Sequence, residues 1–213
     1  MVFIRDVVQE RATATRQRLI QAATDLIRRK GYIATTIDDI CEHSKVTKGA
    51  FFHHFKTKED LAEACLKAWD CQTAAMEQAA PFQAIQNPRK RVLGYLDFFA
   101  GLFDDPKTLK SCLAGTTAQE VSETNPVLRD GASVCFQNAQ KRFQALLDEA
   151  CKAAPRPVDT AGLASLWMAA VQGSLILSKA SQDEVVIRRN LDHVKQYISG
   201  FLPPEEDSES RPC

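Results

Sequence analysis

Apolar positions recur every three or four residues along most of the chain, a spacing that predicts an all-helical protein. Leu19, Ile20, Ala23, Leu26 and Ile27 form one such stripe over about residues 15–30, ended by the basic cluster Arg28-Arg29-Lys30 and by Gly31 as a C-cap. Residues 1–13 could be a frayed helix or an arm bearing Arg5 and Arg11, and partial disorder is expected. Leu61, Ala64, Cys65, Ala68 and Trp69 predict a long helix from Thr57 to about Ala79, after which Pro81 and the stretch 83–88 break the pattern. Val92, Leu93, Leu96, Phe99, Ala100 and Phe103 resume it until Asp104-Asp105-Pro106. A shorter segment follows at about 109–121, and Asn125-Pro126 opens a helix carrying Phe136, Ala139, Phe143, Leu146, Leu147 and Ala150, which Pro155 and Pro157 end. Two last helices are expected at about 159–181 and 183–201, the first rich in Ala, Gly and Ser. Residues 203–213, with Pro203-Pro204-Glu205-Glu206-Asp207, read as a disordered tail.

The stretch from Thr35 to Asp60 organises the rest. Thr36 precedes an apolar-periodic run (Ile37, Ile40, Cys41) with Asp39 three positions on, which suits a helix start with a capping pair. Ser44-Lys45-Val46 interrupts the run, and Thr47 can cap a second short helix, Lys48 to Phe55. Two short helices across a tight turn make a helix-turn-helix candidate. In the second helix Phe51 and Phe55 lie four apart on an inward face, so Lys48, Phe52, His53 and His54 project outward. Its small opening residues, Gly49 and Ala50, and its free N–H groups suit close approach to a duplex.

These residues resemble the DNA-binding domain of the TetR family of bacterial transcriptional regulators. The match runs through Gly31-Tyr32, Thr35-Thr36-Ile37-Asp38-Asp39-Ile40, Val46-Thr47-Lys48-Gly49-Ala50-Phe51-Phe52-His53-His54-Phe55 and Lys58-Glu59-Asp60-Leu61. Phe52 stands where the family usually has Tyr, so a phenolic phosphate contact is replaced by an apolar one. The resemblance implies an all-α protein with an N-terminal three-helix DNA-binding domain (1–56) and a larger helical ligand-binding and dimerisation domain (57–202). It implies a repressor that binds a palindromic operator in double-stranded DNA as a homodimer and is released by a small-molecule effector. The expected DNA-binding residues are Thr36, Thr47, Lys48, Gly49, Ala50, Phe52, His53, His54 and Lys58, with surface histidines as the alternative reading of His53-His54. Lys48 and Lys58 would meet phosphates, and Thr47 and Ala50 base edges.

The last two helices could pair with their copies across a two-fold axis as a four-helix bundle, through Leu166, Ala170, Gly173, Leu191, Val194 and Ile198. Ligand-wall candidates, chosen by composition, are Phe99, Phe103, Phe136, Phe143, Trp167 and Met168, each equally open to being core. The segment Lys110 to Glu120 resembles one found in a subgroup of the family in which a cysteine at the place of Cys112 responds to electrophiles. Lys110 would lower that thiol's pKa if close; the alternative is that Cys112 is a small core residue.

Charge sharpens the division. The net charge is zero, yet residues 1–60 hold eleven Lys/Arg against eight Asp/Glu, leaving sixteen against nineteen beyond, a split of +3 and −3. Seven cysteines, an odd number with no secretory signal ahead of them, and no uninterrupted apolar run of bilayer length lead to the expectation of a reducing cytoplasm and no membrane partner. No nucleophile motif, phosphate loop or ligand spacing stands out, so neither enzyme, cofactor nor metal is expected. A rival reading from another class is a helical small-molecule-binding or enzymatic protein with a non-functional DNA-binding head.

Overall fold

The computed structural model describes residues 2–105 and 111–204, with side chains from Ala12 onward. The protein is all-α: α1 (Val2–Lys30), α2 (Ile37–Ser44), α3 (Lys48–His54), α4 (Lys58–Gln78), α5 (Pro88–Gly101), α6 (Leu113–Val121), α7 (Pro126–Ala150), α8 (Thr160–Ser181) and α9 (Val185–Ser199), with a 3-10 turn at Pro81–Ala84. α1 already begins at Val2, so of the two alternatives for the N-terminal residues it is the helix that is seen from Val2 onward, and the expected partial disorder there is corrected. No Gly or Pro precedes Gly31 to interrupt the helix, and Phe3, Ile4, Val7 and Val8 recur at helical spacing. α5 also starts earlier than its apolar face, at Pro88, because Asn87 caps it by accepting a bond from the Lys90 N–H and proline suits the first helical position. Residues 205–213 of the expected tail and residues 106–110, Lys110 among them, lie outside the described residues.

The helices form two compact units, residues 2–73 with 111–136, and 74–105 with 137–204. In the first, α1, α2, α3, the opening of α4, α6 and the opening of α7 enclose Leu19, Ile27, Ile40, Phe51, Leu61, Leu66, Leu113 and Leu128. Burying each such side chain contributes about 1.5–3 kcal/mol, so the short α2 and α3, too short to be stable alone, are held by this core. Polar bonds fasten the α6 segment to the same unit. Arg28 donates to the Ser111 carbonyl at 2.8 and 3.1 Å while the Ser111 hydroxyl donates to the Arg28 carbonyl. Glu120 accepts from the Ile33 N–H at 3.0 Å. The Glu120 carboxylate packs where a side chain at residue 31 would stand, and Gly31 has φ +90, so the C-cap needs glycine on both counts.

The second unit is built on aromatic rings. Tyr95 stacks on Phe143 with centroids 4.4 Å apart and an 8° tilt, Phe99 lies 4.6 Å from Tyr95, and Trp167 packs against Phe143. Burial, and next the Glu77 carboxylate, push the Tyr95 hydroxyl pKa up. Beside it Arg142 grips Glu77 bidentately, at 2.7 and 3.2 Å. Arg89 collects the carbonyls of Ser199, Leu202 and Pro203, fixing the end of α9. α8 and α9 pack along their length, with small Ala164, Ser174 and Ser178 of α8 buried. By length and composition α8 is long and apolar enough to cross a membrane, although Ser165, Gln172, Ser174 and Ser178 punctuate its apolar run. Its apolar surplus divides between a stripe buried in this unit (Leu163, Trp167, Val171, Leu175) and an exposed one (Leu166, Ile176, Leu177).

Candidate nucleic-acid interface

The helix-turn-helix is assembled by two caps and one turn. Thr36 accepts from the Asp39 N–H at 3.1 Å and Asp39 accepts from the Thr36 N–H at 2.8 Å, a reciprocal capping box with Asp in place of the usual Glu. Lys30 adds an ion pair to the same carboxylate at 2.7 Å, and that bond first, with those from Thr36, holds the Asp39 carboxyl far below the usual carboxylate range. Thr47 caps α3 by accepting from the Ala50 N–H. Between the caps Lys45 turns the chain in the left-handed region, φ 55 and ψ 43.

α3 divides as its spacing demands. Phe51 is 0% exposed and Phe55 joins it in the core, whereas Phe52 is 52% exposed and His53 is exposed. His54 is half-buried; its pKa is lowered by burial and then by the charges of His53 and Arg16. Thr47, Lys48 and Gly49 lie on the same exposed opening turn, with Ala50 partly covered. A Cβ at Gly49 would meet nothing within 4 Å, so no packing within the chain requires glycine there. Lys48 is turned toward Asp38 of α2 at 2.7 Å, an exposed pair that phosphate can displace at little cost. Lys58 is more committed. Its ammonium donates to the carbonyls of Tyr32 and Thr35, both at 2.9 Å, and sits 4.2 Å above the Tyr32 ring, leaving one of three N–H donors for a phosphate. Burial lowers its pKa, which the Glu120 carboxylate partly offsets. Of the basic cluster ending α1, Arg28 is bonded to the part-buried Ser111 carbonyl, while Lys30 is exposed and paired with Asp39.

Two family models match this chain. One, bacterial regulatory proteins of the tetR family, matches residues 19–65, the helices just described. The other, the C-terminal domain of LmrA/YxaF-like transcriptional regulators, matches residues 88–193. The chain belongs to the TetR family.

Its similarity extends to whole TetR-family proteins. An uncharacterised HTH-type transcriptional regulator from Lactococcus lactis subsp. lactis is 27% identical over 85% of this chain and 91% of its own length. The HTH-type transcriptional repressor DhaR of Mycobacterium sp. (strain GP1) is 25% identical, covering 92% and 96%. Among solved structures, a TetR transcriptional regulator from Chloroflexus aurantiacus superposes with a TM-score of 0.80 at 24% identity, over 91% of this chain and 98% of that one. The protein is accordingly a DNA-binding transcriptional regulator and not an enzyme.

The remaining expected site residues separate. Phe99, Phe143 and Trp167 come together around Tyr95 in the second unit, a residue the composition-based choice missed although it shares a helical face with Phe99, four positions on. Phe103 and Met168 are half-buried in that unit, whereas Phe136 and Cys112 belong to the first. Cys112 occupies the N-cap position of α6, half-buried, with the Arg28 guanidinium near enough for their charges to interact. Lys110, expected beside this thiol, lies outside the described residues. Among the expected dimer residues, Leu166 is exposed and Ala170, Gly173 and Val194 are half-exposed. Leu191 and Ile198 are corrected: at 1% and 0% exposed they face the chain's own core, which takes the strongest apolar stripe of α9. Tyr197 and Phe201, on the other face beside Val194, are the exposed apolar residues there.

Proposed function

We propose that this regulator is a homodimeric repressor whose heads (residues 1–56) read the two halves of a palindromic operator and whose body (57–202) binds a small molecule that releases it. The observation carrying this reading is α3: an inward Phe51 and Phe55 anchor it, while its outer face holds a glycine that the chain's packing does not need beside Thr47, Lys48, Ala50, Phe52, His53 and His54. A helix glycine costs about 1 kcal/mol relative to alanine, and close approach of a duplex backbone accounts for it. Thr36 and Lys58 join the same set at the starts of α2 and α4. The relative named a repressor supports the sign of regulation.

The stripe of exposed Leu166 and Leu177 with half-exposed Ala170 and Gly173 on α8, beside Val194 and Tyr197 of α9, supports an isologous four-helix interface. The aromatic cluster around Tyr95, with Phe99, Phe143 and Trp167, supports an apolar effector, with Phe103 and Met168 as further wall. α4 follows the head directly in the chain and runs on into the body, which makes it the covalent route by which a change in the body reaches the head. A TetR-type regulator of this composition acts in the cytoplasm.

Gel-shift and footprinting with the DNA upstream of the protein's own gene test the reading: a two-fold symmetric footprint bound by a dimer is expected, and absence of any footprint overturns it. By linkage, operator must weaken effector binding by the factor with which effector weakens operator binding. Cys112→Ser abolishes release by electrophiles if that thiol is the sensor; persistence of release returns Cys112 to the core.

A further inference from the structure

We propose that Lys45, the turn residue between α2 and α3, grips a DNA phosphate and is kept in a strained backbone conformation for that purpose. The proposal rests on the DNA-binding role of α3 and adds a contact that its motif residues do not include. Two described residues other than glycine have positive φ, Lys45 and Gln182, both at φ 55. Gln182 recovers part of the cost, since its side-chain amide donates to the Lys179 carbonyl and finishes the cap of α8. The Lys45 side chain does not. Its backbone N–H closes α2 onto Cys41 and Glu42, a bond that glycine would make equally well, and among the described residues its ammonium has no acceptor. Lys30 is held by Asp39, Lys48 by Asp38 and Lys58 by two carbonyls, while Lys56, after α3, is exposed like Lys45 but sits in no left-handed turn.

The position is what a phosphate contact requires. Ser44 and Val46, on either side, are buried, so the left-handed turn throws Lys45 outward, and it is exposed. It stands two residues before the Thr47 cap, at the N-terminal end of α3, the end that a reading helix directs into the major groove and therefore toward the phosphates at its rim. A residue with a Cβ is disfavoured in this conformation, and a cation there yields nothing within the folded chain. A local rule broken without internal compensation marks a functional position.

Strain and charge make the test two-signed. Lys45→Gly relieves the turn and removes the charge; Lys45→Ala keeps the strain and removes the charge; Lys45→Arg keeps both. The probe is a duplex of about 30 base pairs of random sequence, because phosphate contacts carry no sequence information. Lys45→Gly is expected to melt about 2–4 °C higher than the parent. Its slope of log K against log salt is expected to be shallower by about 0.9 per head, so that going from 50 to 200 mM salt costs it about 3.5-fold less affinity per head. Lys45→Ala is expected to show the same shallower slope without the gain in melting temperature, and Lys45→Arg to keep the parental slope. An unchanged slope in both Lys45→Gly and Lys45→Ala, with the parent binding normally, overturns the proposal. A parent that binds no duplex overturns the DNA-binding reading instead, so the two failures are distinguishable.

Discussion

Arg142→Met tests how the body is held together. Arg142 and Glu77 meet through two charged hydrogen bonds at 2.7 and 3.2 Å, and the Glu77 side chain is 4% exposed against 26% for Arg142. Methionine keeps most of the aliphatic volume and removes the charge, leaving a buried carboxylate whose main cation has gone. Breaking such a pair from one side costs about 3–5 kcal/mol, since the remaining charge is not rehydrated. For a chain of this size each kcal/mol lowers the melting temperature by about 2–4 °C, which predicts a fall of roughly 6–20 °C. Replacing both partners, Glu77→Leu with Arg142→Met, removes the orphaned charge and is expected to recover most of the loss. Urea unfolding of the parent, both single variants and the double gives the coupling energy directly. A single variant within about 1 kcal/mol of the parent, or a double as unstable as the single, refutes the assignment of the pair as the carrier of that stability.

Lys58→Met removes two charged bonds to the Tyr32 and Thr35 carbonyls and the contact with the Tyr32 ring, and at a partly exposed site this is expected to cost about 2 kcal/mol; a thermal melt shows it, and a shallower salt slope appears in the same variant if the third N–H meets phosphate. His54 has a lowered pKa in the folded chain, so the unfolded chain binds its proton first and this group's contribution to stability declines as pH falls through its unfolded value near 6.5. A nearby phosphate acts in the opposite direction, raising the pKa in the complex, so operator affinity is expected to rise over the same fall in pH; a His54→Gln variant that keeps the full pH dependence removes His54 from the interface.

The helix count, the helix-turn-helix and its two caps were legible in the sequence because each depends on local rules. Thr36 with Asp39, Thr47 with Ala50, and the Phe51/Phe55 spacing need only neighbours within one helical turn. Gly31 was legible for the same reason, as a C-cap after a basic last turn. What depended on which surfaces meet was not legible. Leu191 and Ile198 look as fit for an interface as Val194 in a list of apolar positions, and only the packing of α9 on its own chain decided that they are core. Lys58 reads as a free cation until the fold brings the Tyr32 and Thr35 carbonyls, 26 and 23 residues away, under its ammonium. Arg28 in α1 comes near Cys112 because Arg28 and Ser111 bond across 83 positions, a cationic neighbour that no local rule announces. Periodicity states that a residue is apolar and on which side of its helix it lies; which partner covers that side is set by long-range packing, and charge and burial follow from the partner.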